Sequence, residues 1–133
     1  METTKYAYKT VVNLSYAEAI QKVAEELKKE GFGILTEIDV KETFKKKLDV
    51  DFRKYKILGA CNPPNAYKAL QAETDIGLML PCNVIVYEAE GGATVVAAVD
   101  PVASMSAVGN PVFQSTALEI RSKFQHAIEA MEN

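Results

Sequence analysis

The chain has 133 residues, 48% of them hydrophobic, and its 15 basic and 18 acidic side chains leave a formal charge of -3. That is enough chain to bury one ordinary core as a single domain over residues 1–133, and the charge balance gives no electrostatic reason to expect a nucleic-acid partner. No apolar window is long enough to cross a bilayer, and Met1-Glu2-Thr3-Thr4-Lys5 lacks the apolar core of a signal peptide, so no membrane partner and a cytoplasmic location are expected.

Charge is unevenly spread. Through Lys68 there are 13 Lys or Arg against 10 Asp or Glu, and from Ala69 onward 2 against 8. The 2 cysteines do not make a disulfide framework of the secreted type, which leaves reduced thiols as the default.

In chain order, Tyr6, Tyr8, Thr10 and Val12 alternate with Ala7, Lys9, Val11 and Asn13, the period of a first strand. Ser15 and Glu18 form a capping box, and the helix behind it carries Tyr16, Ile20, Val23, Ala24 and Leu27 on one face until Gly31 stops it. A second strand runs from Gly33 to Lys41, with Ile34, Thr36, Ile38 and Val40 on one side and Leu35, Glu37 and Asp39 on the other. Phe44 and Leu48 make the charge-rich Glu42 to Asp51 stretch a short edge helix, and Lys45-Lys46-Lys47 within it reads as a solvated face.

The third strand is expected from Phe52 or Arg53 to Ala60, with Arg53, Tyr55, Ile57, Gly59 and Cys61 on one face. At Asn62-Pro63, Asn caps a short helix and Pro fits its first turn, with Ala66, Ala69 and Leu70 inward. Leu78 to Tyr87 and Thr94 to Val99 form a hairpin around Glu90-Gly91-Gly92-Ala93, and Pro81 marks a bulge, an edge or the start of its first strand. Val95 to Val99 is apolar on both faces, so that strand is covered twice or the sheet meets a second subunit. Val102 to Gly109 is an uncharged loop, either a lid or partner surface over an apolar cleft or a segment packed on its own core or buried in a homodimer. Asn110-Pro111 repeats the capping device before a closing helix with Phe113, Ala117, Ile120, Phe124, Ala127, Ile128 and Met131 on one face.

The predicted order is β-α-β-β-α-β-β-α, an α+β domain with a largely antiparallel five-stranded sheet and helices packed on one face. The residues that could carry chemistry are few. His126 is the only histidine and reads as a surface residue, so no multi-histidine metal site exists within one chain. Neither a phosphate-binding loop nor a dinucleotide glycine fingerprint is present, and Gly31-Phe32-Gly33 reads as a helix stop.

Cys61-Asn62-Pro63, at the junction of strand and helix, and Cys82 beyond that helix remain as candidate ligand-binding residues. Cys61 precedes a helix N-terminus, a position that can lower a thiol pKa, whereas buried cysteine is otherwise inert. The two thiols can approach only if their strands run antiparallel, and a disulfide requires Cα atoms within about 7 Å.

Gly59-Ala60-Cys61-Asn62-Pro63, Ala66, Ala69-Leu70, Gly77-Leu78-Met79-Leu80-Pro81-Cys82 and Asp100-Pro101 resemble the family known as domain of unknown function 302 over nearly the whole chain. The resemblance implies a TATA-box-binding-protein-like α+β fold, a curved antiparallel sheet backed by helices and often paired as a dimer. It implies no activity and no catalytic residue. The expected protein is a non-catalytic homodimer that binds a small ligand or a partner near Cys61, Asn62, Pro63 and Cys82, without a cofactor. The alternative is a thiol-dependent redox or soft-metal module in which Cys61 is the reactive thiolate and Cys82 its resolving partner.

Overall fold

The computed structural model describes residues 1–132. Strands β1 (Glu2–Thr3), β2 (Ala7–Val12), β3 (Gly33–Asp39), β4 (Tyr55–Cys61), β5 (Cys82–Glu88) and β6 (Thr94–Val99) form one sheet in the order β1-β2-β6-β5-β4-β3, antiparallel throughout. Helices α1 (Tyr16–Lys29), α2 (Val40–Leu48), α3 (Pro63–Ala72), α4 (Pro101–Met105) and α5 (Gln114–Met131) connect and cover it. The five strands expected become six because Glu2–Thr3 pairs back on Tyr8 and Lys9, a two-residue pairing too short to show a period.

The capping box is realised in full: the Ser15 hydroxyl accepts from the Glu18 N–H at 3.2 Å and the Glu18 carboxylate accepts from the Ser15 N–H at 3.0 Å. Gly31 adopts φ +89 just past the end of α1, a conformation that costs glycine little. Helix α1 turns Ala19, Val23 and Leu27 into the core, and α5 turns in Ala117, Phe124, Ala127, Ile128 and Met131.

Alternation along the strands divides the sheet into two unlike faces. Tyr8, Val12, Leu58, Ala60, Cys82, Val84, Val86, Val96 and Ala98 point inward and pack with α1 and α5 in the main core. The other face carries Val95, Ala97, Ile85, Tyr87, Tyr55 and Ile57. Val95 and Ala97 are each only 6% exposed, so the centrally placed β6 is apolar on both sides, as its sequence requires.

Not every helix sits on the inner face. Phe44 of α2 meets the Phe52 ring edge-on at 5.1 Å, beside Ile38, Tyr55 and Ile57 of the outer face, so α2 overhangs the far rim. The strict alternation expected for β3 is broken between Ile34 and Thr36, where Leu35 is the extra residue of a bulge. Ile34 therefore packs on the main core while Ile38, across from Ile57, lies on the outer face.

Two further expectations are corrected. The start of the uncharged Val102 to Gly109 loop is helical, since Asp100 accepts from the Val102 N–H and caps α4. Leu70, expected inward on α3, is 42% exposed, and Ala69 is that helix's buried residue. His126 is exposed on α5, 3.5 Å from Glu30. Lys45 and Lys46 are solvated and paired with Asp49 and Glu42 on their own helix or cap.

Gly59 lies buried on the outer phase of β4, where a Cβ would overlap Thr36 Oγ1 and approach Pro81 Cγ to 2.6 Å, whereas a Cβ on Gly33 meets nothing within 4 Å. The Pro81 ring cannot swing aside as a flexible side chain can. We predict that Gly59→Ala costs about 1–3 kcal/mol in equilibrium denaturation and Gly33→Ala stays within about 0.5 kcal/mol. Equal effects of the two would refute this account of the close approach.

Candidate functional site

Two cores meet at the sheet end where β4 stops and β5 starts. Ala69, Ile76 and Phe113 form a small cluster with Leu80, Met105 and Val108, separate from the main core. Between the clusters runs an apolar seam. From the sheet side it is lined by Ala60, Cys61 and Cys82, and from the helices by Ala66, Met105 and Ile120.

The seam is narrow. Its free volume is about 40 Å³, room for a few waters or one small apolar group and well below the several hundred Å³ of a preformed small-molecule pocket. Asn62, Asn65 and Thr116 are the polar side chains on its wall.

Cys61, Asn62 and Cys82 come together here because β4 and β5 are antiparallel, with Ala60 registered opposite Cys82. Cys61 follows one position later, on the alternate phase of its strand. Both thiols are free, Cys82 buried and Cys61 partly so. Pro63 is exposed at the first turn of α3 and stands outside the seam lining.

Asn62 is fully engaged. Its Oδ1 accepts from the Asn65 N–H at 3.1 Å, capping α3, while its Nδ2 donates to the Gly31 carbonyl at 3.2 Å, tying that cap to the end of α1. The side chain thus fixes the mouth of the seam. The same engagement uses up what a helix terminus could offer a thiolate: Asn62 occupies the cap and Cys61 stands one residue outside it.

Burial pushes the Cys61 thiol above its ordinary value, and it pushes Cys82 up to about 11, with Cys61 nearby adding to the rise. These directions are opposite to the activated thiolate considered from sequence. Among the described residues no group of three or more His, Cys, Asp or Glu side chains is placed to hold a metal ion.

Beside the seam, Asp100 is 6% exposed and makes four bonds that sequence reading missed. Its Oδ1 accepts from the Val102 N–H at 3.0 Å and from Arg121 Nε at 3.1 Å, and its Oδ2 accepts from Arg121 Nη2 at 2.8 Å and the Tyr8 hydroxyl at 3.4 Å. Burial alone would raise this carboxyl, but Arg121 and the α4 backbone more than offset it and hold it below the usual range. The local signal was Asp100-Pro101, the same cap-plus-proline device as Asn62-Pro63. Of the two readings of the Val102 to Gly109 segment, a lid or partner surface against a loop packed on its own core, the fold matches the second, with Met105 and Val108 packed against the small core.

Residues 8–131 match the family described as "Domain of unknown function DUF302", and the chain belongs to that family. It is also similar to a solved structure, the crystal structure of an uncharacterized conserved DUF302 protein from Bacillus stearothermophilus. The two share 28% identity over 96% of this chain and 99% of that one, with a TM-score of 0.88. No curated protein matches this chain. Among the described residues, no helix is long and apolar enough to cross a membrane.

A thiol at about 11 carries, near neutral pH, roughly two orders of magnitude less thiolate than an ordinary one. We predict that iodoacetamide modifies Cys61 first and more slowly than free cysteine, and reaches Cys82 only once the protein unfolds. Intact-mass kinetics from about pH 7 to 10 measure this. A Cys61 rate that levels off below the ordinary thiol pKa would contradict it.

Proposed function

We propose that this chain is a non-catalytic binding module, cytoplasmic and homodimeric, that takes a small apolar ligand or group into the seam beside Cys61, Asn62, Pro63 and Cys82. The observation that carries this reading is the seam itself, an apolar space left between two cores that meet without interdigitating fully. Close-packed interiors rarely leave such a space without a use or a cost. Cys61 and Cys82 then act as soft, uncharged walls, Asn62 holds the mouth in shape, and Pro63 starts the helix that closes over it. The TATA-box-binding-protein-like architecture belongs to the same reading, supported by an antiparallel sheet with its two long helices on one face.

Homodimer formation draws its support from β3. This strand closes one edge of the sheet and leaves one side of its backbone unpaired, a template for pairing with another chain. Around it Leu35 (66% exposed), Ile38 and Leu48 put apolar side chains in solvent.

A redox or soft-metal module is the second reading, favoured by the register that brings Cys61 within one residue of the Cys82 partner Ala60. The raised thiols weigh against it.

Xenon is an apolar probe that fits the seam without moving α3. Under xenon pressure we expect methyl NMR shifts that saturate and centre on Ala66, Ala69, Met105 and Ile120, and we expect Ala66→Leu to abolish them by filling the space. Shifts spread evenly over the main core, or unchanged in Ala66→Leu, would overturn the seam as a site. For the dimer, sedimentation equilibrium should show two copies for the native chain and one for Ile38→Lys, and a monomeric native chain would end that part of the proposal.

A further inference from the structure

The outer face of the sheet holds a second and larger concavity, opposite the seam. It is a cleft of about 400 Å³ floored by Ala7, Ile85 and Ala97, within the size range of small-molecule sites. Tyr6, Lys9, Phe52, Arg53, Tyr55 and Tyr87 stand around that floor.

Its walls are aromatic in an ordered way. Tyr55 and Tyr87, registered across β4 and β5, stack with ring centroids 5.4 Å apart and planes 11° from parallel. Phe52 tilts 47° against Tyr55. A flat ring entering the cleft meets a stack it can extend and an edge it can abut, the arrangements aromatic pairs prefer.

Its charge runs against that of the molecule. The chain carries -3 overall, yet the described residues lining the cleft include two cations, Lys9 and Arg53, and no carboxylate. None of the ion pairs among the described residues involves Arg53, and its guanidinium carbon lies 5.9 Å from the centroid of the Phe52 ring. Lys9 keeps only a loose pairing with the exposed Glu2, 3.8 Å away. Burial and the neighbouring Tyr87 and Tyr6 raise the Tyr55 pKa, so its hydroxyl stays a donor at neutral pH.

We propose that this cleft is a binding site for a planar aromatic carboxylate, its ring against Tyr55 and Tyr87 and its anionic group between Arg53 and Lys9. The chemistry selects this class over its neighbours. A neutral ring would leave the two cations unused, and a compact anion such as phosphate would leave the aromatic wall unused. A second copy laid on the cleft across a two-fold axis would gather Lys9 and Arg53 from both chains in one patch with no acid from the cleft to pair them. This site is independent of the seam, and neither depends on the other.

The probe is 2-naphthoate, titrated into the native protein and followed by the ring resonances of Tyr6, Tyr55 and Tyr87, with neutral 2-naphthamide as its isosteric control. We expect saturable shifts at those rings, with the acid binding at least about fivefold tighter than the amide at low salt, a gap that closes as salt rises. Arg53→Gln and Lys9→Gln, both on exposed or partly exposed side chains, should each narrow the gap by weakening the acid more than the amide. Tyr87→Leu should weaken acid and amide together, with a thermal melt confirming that the sheet persists. Equal affinity for acid and amide would overturn the proposal. So would shifts that map to Phe32 and Phe113 at the seam, the absence of saturation, or a sedimentation dimer that Ile38→Lys leaves intact and Tyr87→Leu dissociates.

Discussion

The buried Asp100 carboxylate is the interaction around which the remaining pieces are arranged. It sits at the end of β6, yet its bonds reach β2 through Tyr8, α5 through Arg121 and the first turn of α4 through Val102. A buried charge is tolerated only when paired and hydrogen-bonded, and removing one partner of such a pair costs about 3–5 kcal/mol in a fully buried setting. Arg121 is one-third exposed, so its share falls below that range. The effect on architecture is larger than the energy suggests. With the Asp100 N–H also donating to the Tyr6 carbonyl, the chain is pinned where it leaves the sheet, and the fully buried Pro101 is driven down beside the seam.

From this anchor the two walls of the seam acquire unequal stiffness. The α4 and α5 side is tied to the sheet by a charged network. On the other side, α3 is held by the Asn62 amide donating to the Gly31 carbonyl, by Asn110 donating to Glu73 at its C-cap, and by the small cluster around Ala69, Ile76 and Phe113. Local opening follows the element with fewer buried contacts, so a ligand larger than the space now present would enter by displacing α3 rather than α4 or α5. The outer cleft has the opposite character, since its floor belongs to central strands and its rings are braced by one another.

The parts of this structure that could be read from the sequence are those written locally. The Ser15 and Glu18 box, Gly31 past α1, Asn62-Pro63 and Asn110-Pro111 each encode a backbone event within four residues, and each occurs. The stripe on α5 was legible because 18 residues give the period several repeats. Short elements gave no such signal: β1 has 2 residues and α4 has 5. The bulge at Leu35 was hidden for a related reason, because Ile34, Thr36, Ile38 and Val40 alternate faultlessly in sequence while the backbone shifts phase between the first two. The partnership of Tyr8 with Asp100 spans 92 positions and nothing near either residue announces it. The cleft was invisible for the same reason, since Tyr6, Phe52 and Arg53 precede their strands and join the outer face only through how the chain enters the sheet.

The two cysteines show how the same location can suggest opposite chemistry at the two levels. In sequence, a cysteine next to a capped helix suggests a stabilised thiolate. In the fold, that stabilisation needs unsatisfied N–H groups aimed at sulfur, and Asn62 takes the one at Asn65 for its own side chain. No cation is among the causes acting on either thiol. Cys61 is moved by burial alone, and Cys82 by burial together with Cys61. Each sulfur therefore favours its neutral form, and the Cys61 thiol makes ionisation of Cys82 harder still. Lys9 and Arg53, the cations of the outer cleft, stand instead on the far side of the sheet. The fold thus keeps its apolar seam and the two cations of the outer cleft on opposite faces of the sheet.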